Sequence, residues 1–301
     1  MRAAQRRGCS VALIVVTSAS PGEGKTGVAA AVARHFAYKG RAVTLKRIAD
    51  ESPASNAASD ASWFGSLDFV PGSPLTTADG SAVIDPGPDA LAVVEANLEA
   101  AAAAGGPVIL VSCSTAPKTL PAGLNVVAVV VTCVQAATKL PETVGEAPVV
   151  AIYDDRALAG FSVSEARVAL NAEVLIAGDG RDTTCDHLVI APIASDAGQP
   201  YFRRFSSQAV VVRFDRTDMH LAAMQADPEC LILTGGRRPS DYLFDAAGAK
   251  GIPVLLSRTD TENTVIALEG IFDRTRFHGE RKLDRMSELL EASALFTGGL
   301  G

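Results

Sequence analysis

Val11–Gly40 reads VALIVVTSASPGEGKTGVAAAVARHFAYKG, and this stretch decides the fold class. VALIVV is a short run of β-branched and aliphatic residues, the pattern of a strand buried on both faces. A loop punctuated by Pro21, Gly22 and Gly24 follows, and GVAAAVARHFAYKG predicts an Ala-rich helix that stops at Gly40. Strand, Gly-rich loop, Lys-Thr pair and helix, in that order, is the setting in which backbone amides wrap a phosphate group. Gly22 and Gly24 let those amides turn inward, and the helix N-terminus adds its positive end. The candidate phosphate-binding residues are therefore Ser20, Pro21, Gly22, Glu23, Gly24, Lys25 and Thr26. Lys25 is expected to reach phosphate oxygens and the Thr26 hydroxyl to hold Mg²⁺ through a bound nucleotide. Ala19 stands where the G-x-x-x-x-G-K-[ST] pattern has its first glycine.

Around that stretch, composition points to the same architecture. The chain has 301 residues, enough for two domains, and is 48% hydrophobic but only 5% aromatic. Ala and Val supply the bulk, as in parallel sheets covered by helices on both faces. A net charge of -7 argues against nucleic-acid or anionic-membrane binding, so phosphate attraction must be local. No run approaches a membrane span, and MRAAQRRG with a short VALIVV does not make a secretory leader. Cys9, Cys113, Cys133, Cys185 and Cys230 are odd in number and lack a C-x-x-C pair, which fits a reducing cytoplasm without a zinc site or disulfide framework. His35, His187, His220 and His278 show no ligand spacing.

Downstream, RAVTLKRIAD predicts a second strand carrying Lys46, a candidate phosphate or acceptor contact, and ending near Asp50 and Glu51. Ser52–Pro88 reads as loop apart from a short helix over Ala61–Leu67, and Asp89–Ala104, rich in Ala, Leu and Glu, predicts a helix closed by Gly105-Gly106. Strands are predicted at Val108–Val111, Val126–Val131 and Val149–Ile152, which completes a doubly wound parallel sheet. After Gly160 a second, smaller α/β unit is expected, with strands at Val174–Ala177, His187–Pro192, Ala209–Arg213, Cys230–Thr234 and Pro253–Ser257. Helices are expected at Ser162–Leu170, Met219–Ala226, Asp241–Lys250 and Glu262–Phe272. Gly279–Ala294 has helical apolar spacing, and FTGGLG after it reads as a frayed end.

The second half is specific enough to carry a family resemblance. FDRTD (Phe214–Asp218), LILTGG (Leu231–Gly236), RPS, GIPVLL and DTENTV occur in the order of the DRTGG domain, which the segment resembles. SVSEARVALNAEVLIAG, LVIAPIASDAGQPYF and RTRFHGERKLDRMSELL extend the match on either side. Asp215, Arg216, Thr217, Asp218, Thr234, Gly235 and Gly236 are its motif residues. They suit turns and helix caps at strand ends, and an architectural reading stands beside a functional one.

The first half resembles the dethiobiotin-synthetase-like P-loop domain. APVVAIYDDRALAGFSV (Ala147–Val163) resembles the junction between the two domains in the N-terminal region of long-form phosphate acetyltransferase, and in stand-alone proteins made of that region. The resemblance implies a P-loop domain over residues 1–159, a DRTGG domain over 160–277 and a C-terminal helix and tail over 278–301. It also implies ATP or ADP as ligand, Mg²⁺, and a homodimer formed through the DRTGG half. That family carries an acidic residue at the end of a strand beside the loop. Ser112-Cys113 is expected at that place here, with Thr132-Cys133 where an adenine-reading asparagine belongs and Ser20 where some relatives have a second lysine. The expectation is a phosphate cradle that lacks its metal carboxylate, unless Asp50, Glu51 or Asp60 supplies one. The leading function is a nucleotide-binding regulatory or accessory module with weak ATP turnover. An ATP-dependent carboxylate-phosphorylating enzyme of the dethiobiotin synthetase or cobyrinate type, and a scaffold with a vestigial loop, are the alternatives.

Overall fold

The computed structural model describes residues 13–48, 57–70, 75–76, 90–180, 184–191, 198–272, 274–297 and 300. The chain divides into two compact units, one of residues 1–154 with 283–301 and the other of residues 155–282.

In the first unit the order is β1 (Leu13–Ser18), α1 (Lys25–Tyr38), β2 (Val43–Ile48), α2 (Ala57–Ser66), β3 (Leu75–Thr76), β4 (Leu91–Ala96), α3 (Leu98–Ala104), β5 (Pro107–Cys113), β6 (Asn125–Val134), β7 (Thr143–Val144) and β8 (Ala147–Tyr153). They form one sheet in the order β3-β2-β4-β1-β5-β6-β8-β7, parallel except for the edge pair β7–β8. The chain lays β2 and β4 on one side of β1 and β5, β6 and β8 on the other. The carboxyl end of β1 is therefore the topological switch point, where open α/β sheets leave a crevice.

The predicted helix over Asp89–Ala104 is corrected. Leu91–Ala96 is the strand β4, buried along its whole length between β2 and β1, and only Leu98–Ala104 is helical. LAVVEA has no polar alternation because both of its faces are covered, and a short apolar run of that kind cannot be told from helix by periodicity. Asn97 then caps α3 by accepting from the Ala100 amide at 2.8 Å.

The second unit contains α4 (Arg156–Ala159), β9 (Phe161–Ser162), α5 (Val163–Leu170), β10 (Glu173–Ile176), β11 (Thr184–Cys185), β12 (His187–Ile190), α6 (Gly198–Phe202), β13 (Gln208–Arg213), α7 (Thr217–Met224), β14 (Cys230–Thr234), α8 (Asp241–Lys250), β15 (Val254–Leu256) and α9 (Thr261–Phe272). Its main sheet runs β10-β15-β14-β13-β12, with β12 to β15 parallel and β10 antiparallel at the edge. Period-two alternation separates its two cores. Val210, Val212, Leu231 and Leu233 pack with α7 and α8, whereas Ala209, Val211, Cys230 and Ile232 pack with Ala166 of α5 and Leu268 and Ile271 of α9. Ser162 and Glu165 form a reciprocal capping box at the start of α5.

The last helix, α10 (Glu280–Glu291), buries Leu283, Met286 and Leu290 of the predicted apolar stripe. The reading of FTGGLG as frayed is corrected for its apolar residues: Leu300 is buried, and Phe296 stacks on His35 of α1 at 3.6 Å between ring centres, next to the buried Leu295. Arg34 of α1 pairs with Asp284, and the His35 Nδ1 is hydrogen-bonded to the Glu291 Oε1 at 3.0 Å, so the end of the chain is bound to α1 by polar as well as by apolar contact. No helix among the described residues is long and apolar enough to cross a membrane.

Candidate functional site

The loop after β1 enters α1 through two glycines with left-handed backbones, Gly22 at φ +82 and Gly24 at φ +90. Such angles strain any residue with a Cβ. At Gly24 a Cβ would also lie 3.2 Å from the Thr132 Cγ2, so the loop needs glycine there twice over. Thr132 is buried and braces the loop from behind, donating from its hydroxyl to the Glu23 carbonyl at 2.9 Å. Ser18 donates to the Ser20 carbonyl at 2.7 Å, and the Ser20 amide donates to the Glu23 carboxylate at 3.2 Å. Pro21 and Gly22 are exposed at the rim. Lys25 opens α1 and is buried.

Beneath the loop lies a buried cluster of charge. Thr26 donates to the Glu95 Oε1 at 2.9 Å, and Glu95 has no exposed surface at all. Arg47 of β2 and Glu95 of β4 are register partners across the parallel ladder, and the Arg47 Nη1 bonds to the Glu95 Oε1. The same Nη1 lies 3.0 Å from the Asp60 Oδ2 and 3.5 Å from the Thr26 Oγ1. Burial pushes the Glu95 carboxyl above its ordinary range, opposed by the charges of Arg47 and Lys25 and by the Thr26 hydroxyl. The Glu95 Oε2 has no hydrogen-bond partner among the described residues.

These contacts correct the expected position of the acid. The carboxylate at a strand end beside the loop is Glu95 of β4, and the Ser112-Cys113 end of β5 does not have that role. Ser112 instead donates to the Thr115 carbonyl at 2.9 Å. Of the substitutes considered, Asp60 joins the cluster through Arg47, while Asp50 and Glu51 lie outside the described residues. Lys46 sits next to Arg47 on β2, half-buried, and strand alternation directs the two to opposite faces. Arg47 and Glu95 were both missed by sequence reasoning. The available signal was the acid ending LAVVEA, had that run been taken as a strand.

Thr26, Glu95 and Asp60 offer oxygen donors of the kind Mg²⁺ takes. The Arg47 guanidinium already stands among them, however, so the side chains as arranged do not fit a metal ion. No group of three or more His, Cys, Asp or Glu side chains among the described residues is placed to hold one.

In the second unit the two motifs meet at the carboxyl ends of β13, β14 and β15. Phe214 donates its amide to the Thr234 carbonyl at 3.1 Å, Gly235 to Thr259 at 2.8 Å and Gly236 to Ser257 at 3.0 Å. Gly235 has φ +95, and a Cβ there would lie 2.8 Å from the Phe214 ring. Hydroxyls fill the space below: Thr234 with Thr261 at 2.9 Å, Ser257 with Thr259 at 2.9 Å, and Thr259 with Thr264 at 2.8 Å. The charged members of the motif face solvent as local pairs, Arg213 with Asp215 at 2.7 Å and Arg216 with Asp218 at 3.0 Å. The hydrogen bond from Arg216 holds the Asp218 carboxyl below its ordinary range. Thr217 begins α7. His220 is fully buried, its Nε2 donating to the Arg213 carbonyl at 2.8 Å, and burial lowers its pKa.

Comparison with known proteins agrees with the second unit. Residues 167–271 match the family model of the DRTGG domain, a span of less than half the chain. A solved structure of the CBS and DRTGG domains of the regulatory region of Clostridium perfringens pyrophosphatase, complexed with its activator diadenosine tetraphosphate, is 18% identical. That match has a TM-score of 0.35 and covers 42% of this chain and 53% of the other, about half of that solved chain's length.

Proposed function

We propose that the chain is a nucleotide-binding regulatory or accessory module, with ATP or ADP phosphates held at Ser20–Thr26 and a DRTGG domain as its second unit. The observation that carries this reading is the contact of Thr26 with Glu95 beneath a loop of left-handed glycines that leads into α1 beside a buried Lys25. Loop amides and a helix N-terminus suit an anion, and Lys25 adds a full charge. The resemblance to the N-terminal region of long-form phosphate acetyltransferase supports the same pairing of domains. ATP turnover is expected to be slow, because the Glu95 oxygen that meets Thr26 is already bonded to Arg47. Nucleotide titration tests the reading: Lys25→Ala should weaken ATP binding roughly ten- to a hundredfold, the loss of one charge-assisted contact of about 1.5–3 kcal/mol. Equal binding by wild type and variant would exclude the loop.

A second reading, phosphorylation of a carboxylate substrate, is favoured by one observation: two acidic side chains, Glu95 and Asp60, lie near Thr26. Steady-state phosphate release of about one per second or faster would favour it over the regulatory module.

A two-fold homodimer through the DRTGG unit is part of the proposal. Val168 of α5 is 72% exposed and Ile266 of α9 is 61% exposed, on helices that pack together. Closed two-fold pairs are the commonest assemblies. Light scattering should give a dimer for wild type and a monomer for a Val168→Asp/Ile266→Asp double variant. A monomeric wild type at micromolar concentration would remove the claim.

A further inference from the structure

We propose that Arg47 is a built-in counter-cation for the Ser20–Thr26 loop, standing among Thr26, Glu95 and Asp60 so that nucleotide phosphate is bound without help from a divalent metal. This rests on the reading of that loop as a nucleotide phosphate site. The argument begins with position. Three oxygen-bearing side chains converge below the first turn of α1, and a single nitrogen, the Arg47 Nη1, contacts all of them: Glu95 directly, Asp60 at 3.0 Å and Thr26 at 3.5 Å. Mg²⁺ requires oxygens at about 2.0–2.1 Å in near-octahedral array. A guanidinium nitrogen amid these oxygens occupies the place that array would need.

The arrangement is also fixed. Arg47 does not lie on a mobile loop: it is held by strand register, opposite Glu95 on the β2–β4 ladder, and it is 6% exposed. Arginine keeps its charge at every accessible pH, so it cannot leave the cluster by deprotonation. Moving it out would strip Glu95, which is 0% exposed, of the guanidinium bonded to it, and breaking a buried pair in that way is strongly unfavourable. A metal arriving with nucleotide would have to drive that rearrangement and shed its own water, which Mg²⁺ does reluctantly. With Arg47 in place, the cations available to the phosphates are those of the chain.

The cluster also shows what removing Arg47 would create. The Glu95 Oε2 lacks a hydrogen-bond partner among the described residues, and the Asp60 and Thr26 oxygens would lose the Arg47 Nη1. The chain without that guanidinium would present a set of oxygens suited to a divalent ion, so the substitution should gain a metal dependence that wild type lacks.

The test is calorimetric titration of the full chain with ATP, in excess Mg²⁺ and in EDTA, on wild type, Arg47→Met, Arg47→Lys and Lys25→Ala. Wild type should bind with affinities that differ less than about threefold between the two buffers, well under the effect of one charge-assisted contact. Arg47→Lys, which keeps a cation, should behave likewise. Arg47→Met should bind at least about tenfold more tightly in Mg²⁺ than in EDTA. A wild type that loses about tenfold or more on chelation overturns the proposal, and that measurement stands even if Arg47→Met fails to fold. An Arg47→Met variant as indifferent to Mg²⁺ as wild type also overturns it. Failure of the loop reading is distinct: wild type then binds no ATP in either buffer, or Lys25→Ala binds as well as wild type.

Discussion

The two units place polar side chains at the same point of the same architecture, the carboxyl ends of parallel strands, and fill it in opposite ways. In the first unit charge is buried: Lys25, Arg47, Asp60 and Glu95 all lie beneath or beside a glycine loop. At these strand ends of the second unit the charged motif residues lie toward solvent, in the Arg213–Asp215 and Arg216–Asp218 pairs, and the buried layer is a chain of neutral hydroxyls, while the buried charges Asp186 and Lys282 belong to other elements. Neutral hydroxyls donate and accept among themselves and are satisfied without a ligand. Buried ions are costly unless each charge is matched by a partner. That difference is why the proposed anion site is placed in the first unit. The DRTGG motif, within this chain, closes its own hydrogen bonds.

The largest expected effect breaks that comparison from the charged side. Glu95→Ala removes the carboxylate that faces Arg47 and Thr26 and takes from Arg47 its partner across the β2–β4 ladder. Breaking a buried pair in this way costs on the order of 3 kcal/mol. The chain has one tryptophan, Trp63, and it lies on α2 in the first unit, so its fluorescence reports unfolding of that unit. An unchanged denaturation midpoint by Trp63 emission would mean that the cluster is not stabilising as arranged.

The matching change in the second unit should be smaller. Thr264→Val keeps the shape of a fully buried side chain and removes a hydroxyl bonded to Thr259 at 2.8 Å and to the Asp260 carbonyl at 2.7 Å. Ser257 and Thr259 retain each other, so the cost should be about 1 kcal/mol. Hydrogen exchange of the β13 and β14 amides would measure it in that unit. A loss as large as that of Glu95→Ala would mean that the hydroxyl layer is as demanding as the buried ions, and the contrast would fail.

How much of this was legible from sequence differs in the same way. The strand–loop–helix around Lys25 and the ordered motifs from Asp215 to Gly236 are local patterns. Their glycines and strand ends appear where the residues indicate. Arg47 and Glu95 are 48 positions apart, and only the β2–β4 register brings them together. Nothing in either segment alone announces that pairing. The error over Leu91–Ala96 compounded it, because Ala and Glu are helix-favouring residues and burial on both faces erased the strand's alternation. Reading that segment as helix removed the carboxylate from view and shifted the expected acid to Ser112-Cys113. DRTGG was easier because its motif segments follow one another in a characteristic order along the chain, even though Phe214 bonds to Thr234 and Gly235 to Thr259.

The smallest expected effect concerns pH, and here two buried groups, His220 and Glu95, should differ in sign. His220 of α7 is fully buried and neutral, its Nε2 donating to the Arg213 carbonyl, and burial holds its pKa below the ordinary value. In the unfolded chain it titrates near 6.5, so just below that pH the unfolded state binds more protons than the native one. Stability from His220 is therefore complete above about 6.5 and declines as pH falls toward the lower native pKa. Glu95 runs the other way. Its native pKa is raised by burial, so the native state binds the extra proton and the first unit gains stability from this group as pH falls toward the ordinary carboxylate range, near 4.3. His220→Gln retains an N–H for the Arg213 carbonyl and cannot titrate. Exchange of the β13 and β14 amides followed from about pH 7 to 5 should show wild type losing protection faster than His220→Gln. His187, whose pKa burial also lowers, is present in both proteins and leaves a shared residual slope. Identical slopes in the two proteins would remove His220 as the source of the acid sensitivity, and with it this contrast between a buried neutral base and a buried acid.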